Sequence, residues 1–358
     1  MKILFVVPRY HLNLYYRVKA LQNAGHEVFL LVMYKLNSER YDILEPIVLK
    51  HSKINVVLEK INRKYENDMH KIPNSSDLKK KIKEISPDIL IVKNLQGGLS
   101  LLSFFHGRKI AKKIFALVQT NKHFVKNRFK KVIAFVFKKF FKVKVIITPL
   151  KNKLKKSDPW FSYIPFVIEI NDFEKHYFKD NKINILDIGK FVKRKDHITL
   201  LKAINRLKDR YNIKLTIVGE KMNREVDKKF FDYIEENNLQ GMVIVKENLP
   251  HKEVLNVYRE QDLFVLPSYN EPSACSTVEA MAYKLPVIIS DDSGTNCYIK
   301  EGENGYVFKN RDDKDLAEKI EKIIKDKGNL IRMGEKGFII AKEEHSLGLF
   351  IKKFNKLI

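Results

Sequence analysis

A chain of 358 residues is too long for one ordinary hydrophobic core, so two domains of about 170 residues each are expected. The sequence has 44% hydrophobic residues, no run near the ~18 apolar residues of a membrane span, and only two cysteines, Cys275 and Cys297, without CxxC or Cys/His spacing. This composition excludes a membrane span, a disulfide framework and a cysteine-based metal site. The net charge of +25 is uneven: residues 1–170 carry 34 Lys and Arg against 12 Asp and Glu, whereas residues 171–358 carry 34 against 31.

The chain opens with a strand, "KILFVV", a helix with apolar positions at helical spacing, "YYRVKALQNAG", and a second strand, "HEVFLLV". This β-α-β start shows no signal-peptide cleavage pattern, and a cytoplasmic protein in a reducing compartment is expected. His26 is expected to end the first helix as a favourable C-terminal cation. The short β-branched runs "SPDILIV", "KIFALV" and "KVKVIIT" follow, the pattern of a mostly parallel sheet. A Rossmann-like domain over residues 1–167 is expected.

No acidic residue occurs between Asp88 and Asp158, whereas 18 Lys and Arg fall in those 69 positions. Such a field attracts a polyanion. Within it, "KHFVKNRFKKVIAFVFKKFFKVK" (Lys122 to Lys144) interleaves aromatics and lysines as a helix on an anionic membrane surface does. The same pattern fits a helix that buries its apolar stripe against a sheet and leaves a solvated lysine face. Nucleic acid is a third partner for such a charge, but no nucleic-acid-binding motif accompanies it.

Residues 168–182, polar and aromatic, read as a linker. The strand and helix alternation then restarts: "INILDIG", a helix across "HITLLKAINRLKDRY", "IKLTIVG", a helix across "REVDKKFFDYIEENN", "MVIVKE", a helix at "HKEVLNVYREQ", "DLFVLPS", a helix at "STVEAMAYK", and "PVIIS". This predicts a second doubly wound domain over 183–342. A C-terminal helix over 343–358 is expected to cross back to the first domain. Two such domains facing each other leave a cleft.

The stretch that carries chemistry is "YNEPSACSTVEAMAYKLP", residues 269–286. Glu271 and Glu279 flank small residues just after the buried run "DLFVLPS", at the carboxyl edge of the sheet, where doubly wound folds bind ligands. Ser276 or Thr277 is expected to cap the following helix, whose first free amides form a phosphate site. Glu279, about a turn in, can accept from two vicinal ribose hydroxyls. Taken alone, the Glu271 and Glu279 spacing also occurs by chance, and Lys190 and Lys195 also fit ordinary surface lysines of a lysine-rich chain.

The Glu271 and Glu279 spacing followed by "EAMAYKLPVIISDDSGTNCYIKEGENGYVF" resembles the donor-binding signature of family 4 retaining glycosyltransferases, which have the GT-B fold. "ILDIGKFVKRKDHITLLKAI" is similar to the family's G-R-x-x-x-x-K segment, with Lys190 where arginine is usual and Lys195 at the lysine. "LTIVGE" and "NAGHEVFLLV" resemble two further family strands. The likeness is specific from about Ile183 to Phe308.

The resemblance implies an α/β fold of two Rossmann-like domains and transfer of a sugar from a UDP- or GDP-sugar to a glycan or lipid-linked acceptor with retention. It assigns Glu271, Lys190 and Lys195 to catalysis: Glu271 on the sugar hydroxyls, the lysines on the diphosphate. Glu279 takes the ribose, and Gly189, Cys275, Ser276, Thr277, Gly294 and Thr295 complete the donor-binding set. His123, in "QTNKHF", is the acceptor-side candidate. No metal or other cofactor is required. The partners implied are the nucleotide-sugar donor, the acceptor and an anionic membrane surface, with a peripheral location on the cytoplasmic face; specific nucleic-acid binding is not expected. The chain departs from the family pattern in "PRYHLNLYY" after the first strand, where a glycine-rich turn is common, and in "PSAC" after Glu271. The altered "PSAC" turn leaves room for a catalytically silent protein of the same fold that binds nucleotide sugars or glycans, and the basic charge leaves a nucleic-acid-binding protein as a second alternative.

Overall fold

The computed structural model describes residues 1–36, 39–61, 71–118, 135–149, 160–220 and 224–358. It divides into two units, Met1–Val167 with Leu347–Ile358, and Ile168–Ser346. The segment 168–182 thus belongs to the second unit rather than standing between two domains.

The first unit is built on a seven-stranded parallel sheet: β1 (Lys2–Val6), β2 (Glu27–Val32), β3 (Ile47–Val48), β4 (Ile89–Lys93), β5 (Lys113–Leu117), β6 (Val143–Thr148) and β7 (Phe161–Tyr163), in the order β3-β2-β1-β4-β5-β6-β7. Parallel strands covered on both faces must be apolar throughout, and Ile3 to Val6 and Ile89 to Val92 are all buried. Among its helices are α1 (Leu12–Asn23), α2 (Ile54–Ile61), α3 (Ser75–Ile85) and α4 (Gly98–Gly107). The Asn74 side chain caps α3 by accepting from the amides of Ser76 and Asp77, and Ser86 ends it in the left-handed region. After α1, Gly25 takes φ +79° and the His26 amide donates to the Leu21 carbonyl. Burial first, and the N-terminal ammonium second, hold the His26 ring below its usual pKa, which works against the cation expected at that helix end.

The C-terminal helix Leu347–Asn355 belongs to this unit and buries Phe350 and Phe354, with the Arg17 guanidinium 5.9 Å above the Phe350 ring. It starts after Ser346, four residues beyond the expected boundary, because one 19-residue helix (Lys327–His345) first completes the second unit.

The second unit has a six-stranded parallel sheet: β8 (Ile183–Ile188), β9 (Ile213–Gly219), β10 (Val243–Glu247), β11 (Leu263–Leu266), β12 (Val287–Ser290) and β13 (Gly305–Phe308), in the order β10-β9-β8-β11-β12-β13. Its helices are α5 (His197–Leu207), α6 (Arg224–Glu236), α7 (His251–Arg259), α8 (Cys275–Ala282), α9 (Asp313–Ile324) and α10 (Lys327–His345). In both units the first strand lies inside the sheet, with the second and third strands on one side and the fourth on the other. That reversal of strand order is the topological switch point where the loops leaving adjacent strands diverge and leave room for a ligand.

Candidate active site

In the second unit the switch point lies between β8 and β11. The loop after β8 carries Gly189 to Asp196, and the loop after β11 carries Ser268 to Ala274. The Tyr269 amide donates to the Arg194 carbonyl at 2.9 Å, which ties one loop to the other. Two glycines let the turn after β8 fold closely on itself and against the end of β9. A Cβ on Gly219 would stand 2.2 Å from the Gly189 carbonyl oxygen, and one on Gly189 would meet the Lys195 side chain at 2.9 Å.

Glu271 is 7% exposed, and its Oε2 lies 2.8 Å from Lys195 Nζ and 2.5 Å from an Arg194 guanidinium nitrogen. Burial alone works against ionisation of this carboxyl. Lys195 first and Arg194 next overcome that effect and hold its pKa below the ordinary carboxylate value. One carboxylate between two cations leaves the group with an excess positive charge.

Lys190 stands elsewhere in the loop. Its Nζ pairs with Glu220 at 2.6 Å, both side chains being about two-fifths exposed. The loop therefore brings Lys195 and Arg194 to Glu271 and leaves Lys190 on the carboxylate that follows β9. The turn itself is held from below: buried Asp187 at the end of β8 sits 2.6 Å from His197 Nδ1, and His197 Nε2 lies 3.3 Å from the Lys190 carbonyl oxygen.

Glu279 is buried in the last turn of α8. His251 Nε2 lies 2.8 Å from one of its oxygens, and Tyr258 donates its hydroxyl to the other at 3.1 Å. His251 and Tyr258 are seven residues apart on α7, hence on one face of that helix, and Tyr258 also stacks on Tyr283 at 5.4 Å. Both ends of the carboxylate are thus fixed.

The cap of α8 differs from expectation. The helix begins at Cys275 after Ala274, whose side chain has no acceptor, so Ser276 and Thr277 lie inside the first turn and cap nothing. The backbone enters the helix two to three residues earlier than the hydroxyls suggest, and the first-turn amides lack a side-chain cap. Thr277 instead places its hydroxyl 3.0 Å from that of Thr295, which also meets Ser293 at 3.1 Å. The Gly294 amide donates to the Glu271 carbonyl at 2.8 Å. Gly189, Lys195, Glu271, Gly294 and Thr295 therefore line one sheet edge, with Cys275, Ser276 and Thr277 opening the helix beside it.

Arg194, His251 and Tyr258 escape the sequence reading. Arg194 is one cation in the run "KRK", and nothing in a lysine-rich chain distinguishes it. The polar pair at positions 251 and 258 of an otherwise amphipathic helix was the available signal for the other two.

His123 lies outside the described residues, as does the basic segment from Lys122 to 134. In the described part, residues 135–139 are helical; Phe137 is buried, whereas Phe135, Val136, Lys138, Lys139 and Phe140 are exposed. Among the described residues no helix is long and apolar enough to cross a membrane, and no group of three or more His, Cys, Asp or Glu side chains gathers as a metal site.

Residues 169–339 match the family model described as glycosyl transferases group 1. The chain is 28% identical over 177 residues to the capsular polysaccharide biosynthesis glycosyltransferase CapM of Staphylococcus aureus, a match covering 48% of this chain and 45% of the relative. It is 31% identical over 214 residues to the protein CapJ of the same organism, covering 58% and 50%. The chain thus spans about half the length of the curated relatives it matches. In structure it is similar to a glycosyltransferase from Rickettsia africae ESF-5, with a TM-score of 0.77 and 17% identity over 99% of this chain and 97% of the other. The architecture is the GT-B fold, and the matched segment lies wholly within the second unit.

Proposed function

We propose that this chain transfers a sugar from a nucleotide-sugar donor to a glycan or lipid-linked acceptor, with retention at the anomeric carbon, in the synthesis of a surface polysaccharide or glycolipid. The observation that carries the reading is the pair of buried glutamates at the switch point between β8 and β11, inside the segment that matches the glycosyl transferases group 1 model. CapM bears the name of an enzyme of capsular polysaccharide synthesis, which favours a polysaccharide acceptor.

In this reading the donor's diphosphate displaces Glu271 from Lys195 and Arg194, and Glu271 then accepts hydrogen bonds from hydroxyls of the sugar. Lys190 adds positive charge from the rim of the same loop. Glu279, held by His251 and Tyr258, accepts from the ribose hydroxyls. The bond from the anomeric carbon to the diphosphate oxygen breaks, and its electron pair leaves with the nucleoside diphosphate. The acceptor oxygen bonds to that carbon from the same face, and its proton passes to the departing phosphate. Negative charge grows on the diphosphate as the bond breaks, so fixed cations act more strongly in the transition state than in the ground state. No metal is needed for this charge balance, and activity should survive EDTA. The acceptor is taken up through the N-terminal unit, whose basic excess suits a precursor presented at an anionic membrane surface.

A thermal-shift panel of UDP-, GDP- and ADP-sugars tests the reading, since a ligand at 100 times its dissociation constant stabilises by about 2.7 kcal/mol. One nucleoside diphosphate and its sugars should raise the melting temperature. A shift without turnover in the presence of glycan acceptors would support the silent binding protein, and no shift with any nucleotide would remove the proposal.

A further inference from the structure

The N-terminal unit has a switch point of its own, between β1 and β4. The register pairs Val6 with Val92, so Lys93 closes β4 next to the start of the loop that leaves β1, and Arg9 lies two residues along that loop. These two cations occupy the place in the first sheet that the Gly189–Asp196 and Glu271 loops occupy in the second.

Their surroundings are not those of a closed ion pair. Arg9 Nη1 lies 3.2 Å from Glu39 Oε1, but among the described residues that oxygen accepts no hydrogen bond. Arg9 Nε points at His11 Nε2, 3.1 Å away. Glu39 already accepts from the Tyr41 hydroxyl at 2.9 Å through its other oxygen. Lys93 is partly buried, and among the described residues no carboxylate lies within ion-pair distance of its ammonium. Burial first and Arg9 next push that ammonium down to about 8; Glu39 opposes them and buried Arg17 adds to them. Arg9 and Lys93 thus share one carboxylate, Glu39. The loop from β4 to α4 adds room and donors: N-cap Gly97 has φ +101°, and among the described residues nothing beyond its chain neighbours lies within 4 Å of where its Cβ would stand and no side chain caps the first-turn amides of α4.

We propose that Arg9 and Lys93 form an oxyanion-binding site in the N-terminal unit, fitted to a phosphate-type group. A partly desolvated ammonium next to a guanidinium is unfavourable alone, and a doubly charged oxyanion is the ligand that satisfies both at once. The site stands on its own geometry. Its assignment to the acceptor rests on the transferase reading above and implies that the acceptor carries a phosphate near the hydroxyl that is glycosylated. The donor's diphosphate is the other source of the same chemistry.

Calorimetric titration of inorganic phosphate and of glycerol 3-phosphate into the full chain, with and without saturating nucleoside diphosphate, tests the site. Arg9→Gln and Lys93→Gln should each weaken glycerol 3-phosphate binding by about tenfold. If that binding persists with the nucleotide bound, and nucleotide affinity is unchanged in both variants, the site serves the acceptor. If the two ligands compete and both weaken in the variants, the same site serves the donor's phosphates. Unchanged affinity for both ligands in both variants overturns it. Failure of any nucleotide to bind sinks the transferase reading alone, because the phosphate titration still decides the site. Folding does not obscure the result: Lys93→Gln removes a partly desolvated charge and should melt no lower than the parent protein at pH 7.

Discussion

The carboxyl edges of the two sheets share a topology and differ in how their charges are satisfied. After β8 and β11 nearly every titratable side chain has a partner: Glu271 with Lys195 and Arg194, Glu279 with His251 and Tyr258, Asp187 with His197. After β1 and β4 the cations outnumber the carboxylates, and Lys93 holds no ion pair among the described residues. Parallel topology fixes where a ligand sits, but not which ligand. A preorganised edge of paired groups suits a reaction in which partners are exchanged as charge moves, whereas an edge with spare cations suits plain anion recognition.

The largest effect should come from the paired edge. Glu271→Gln keeps the shape, removes the charge between Lys195 and Arg194, and should lower kcat by about 100-fold or more while sparing affinity for the free nucleoside diphosphate. Steady-state kinetics beside nucleotide titration checks this, and equal loss in both quantities would contradict the role given to the sugar contact.

Next comes the division of labour within that edge. Glu279→Ala should weaken nucleotide binding by about tenfold, with kcat at saturation little changed, because ribose contact is the same in the ground and transition states. Tyr258→Phe and His251→Ala should follow in the same direction by smaller factors, since each releases only one oxygen of the carboxylate. A larger loss in Tyr258→Phe than in Glu279→Ala would assign the effect to packing against Tyr283 instead.

The smallest effect sharpens the contrast at the unpaired edge. Lys93 titrates at about 8, faced by Arg9, Arg17 and Glu39, so the ammonium and its attraction for an anion are lost as pH rises through that value. A bound oxyanion holds the proton and moves the midpoint upward. Glycerol 3-phosphate is fully ionised above about pH 7.5. Its affinity should therefore fall severalfold between pH 7.5 and 9.5 in the parent protein and stay nearly flat in Lys93→Gln. A parallel fall in the variant would place the titration on another group.

Much of the fold is legible in the sequence because parallel strands buried on both faces read as continuous apolar runs. "KILFVV", "SPDILIV", "INILDIG" and "DLFVLPS" each correspond to a central strand. The short edge strands β3 and β7, two and three residues long, leave no such run and were not anticipated. The helix start at Cys275 was misplaced because hydroxyl residues signal a cap only where the backbone leaves the helix, and here it is already helical.

The sequence alone determined that two doubly wound sheets would form, that Glu271 and Glu279 would stand at a carboxyl edge, and that the cationic excess would fall in the first half. Those properties depend on local periodicity and on strand order, which the apolar pattern dictates. Only the tertiary structure decided the pairings: Arg194 rather than Lys190 on Glu271, His251 and Tyr258 on Glu279, and Lys93 beside Arg9 without a counterion of its own. Each joins residues 21 to 84 positions apart, brought within reach by neighbouring strands or helices. A side chain's partner depends on which loops diverge at a switch point, a distance set by packing that no stretch of sequence encodes by itself.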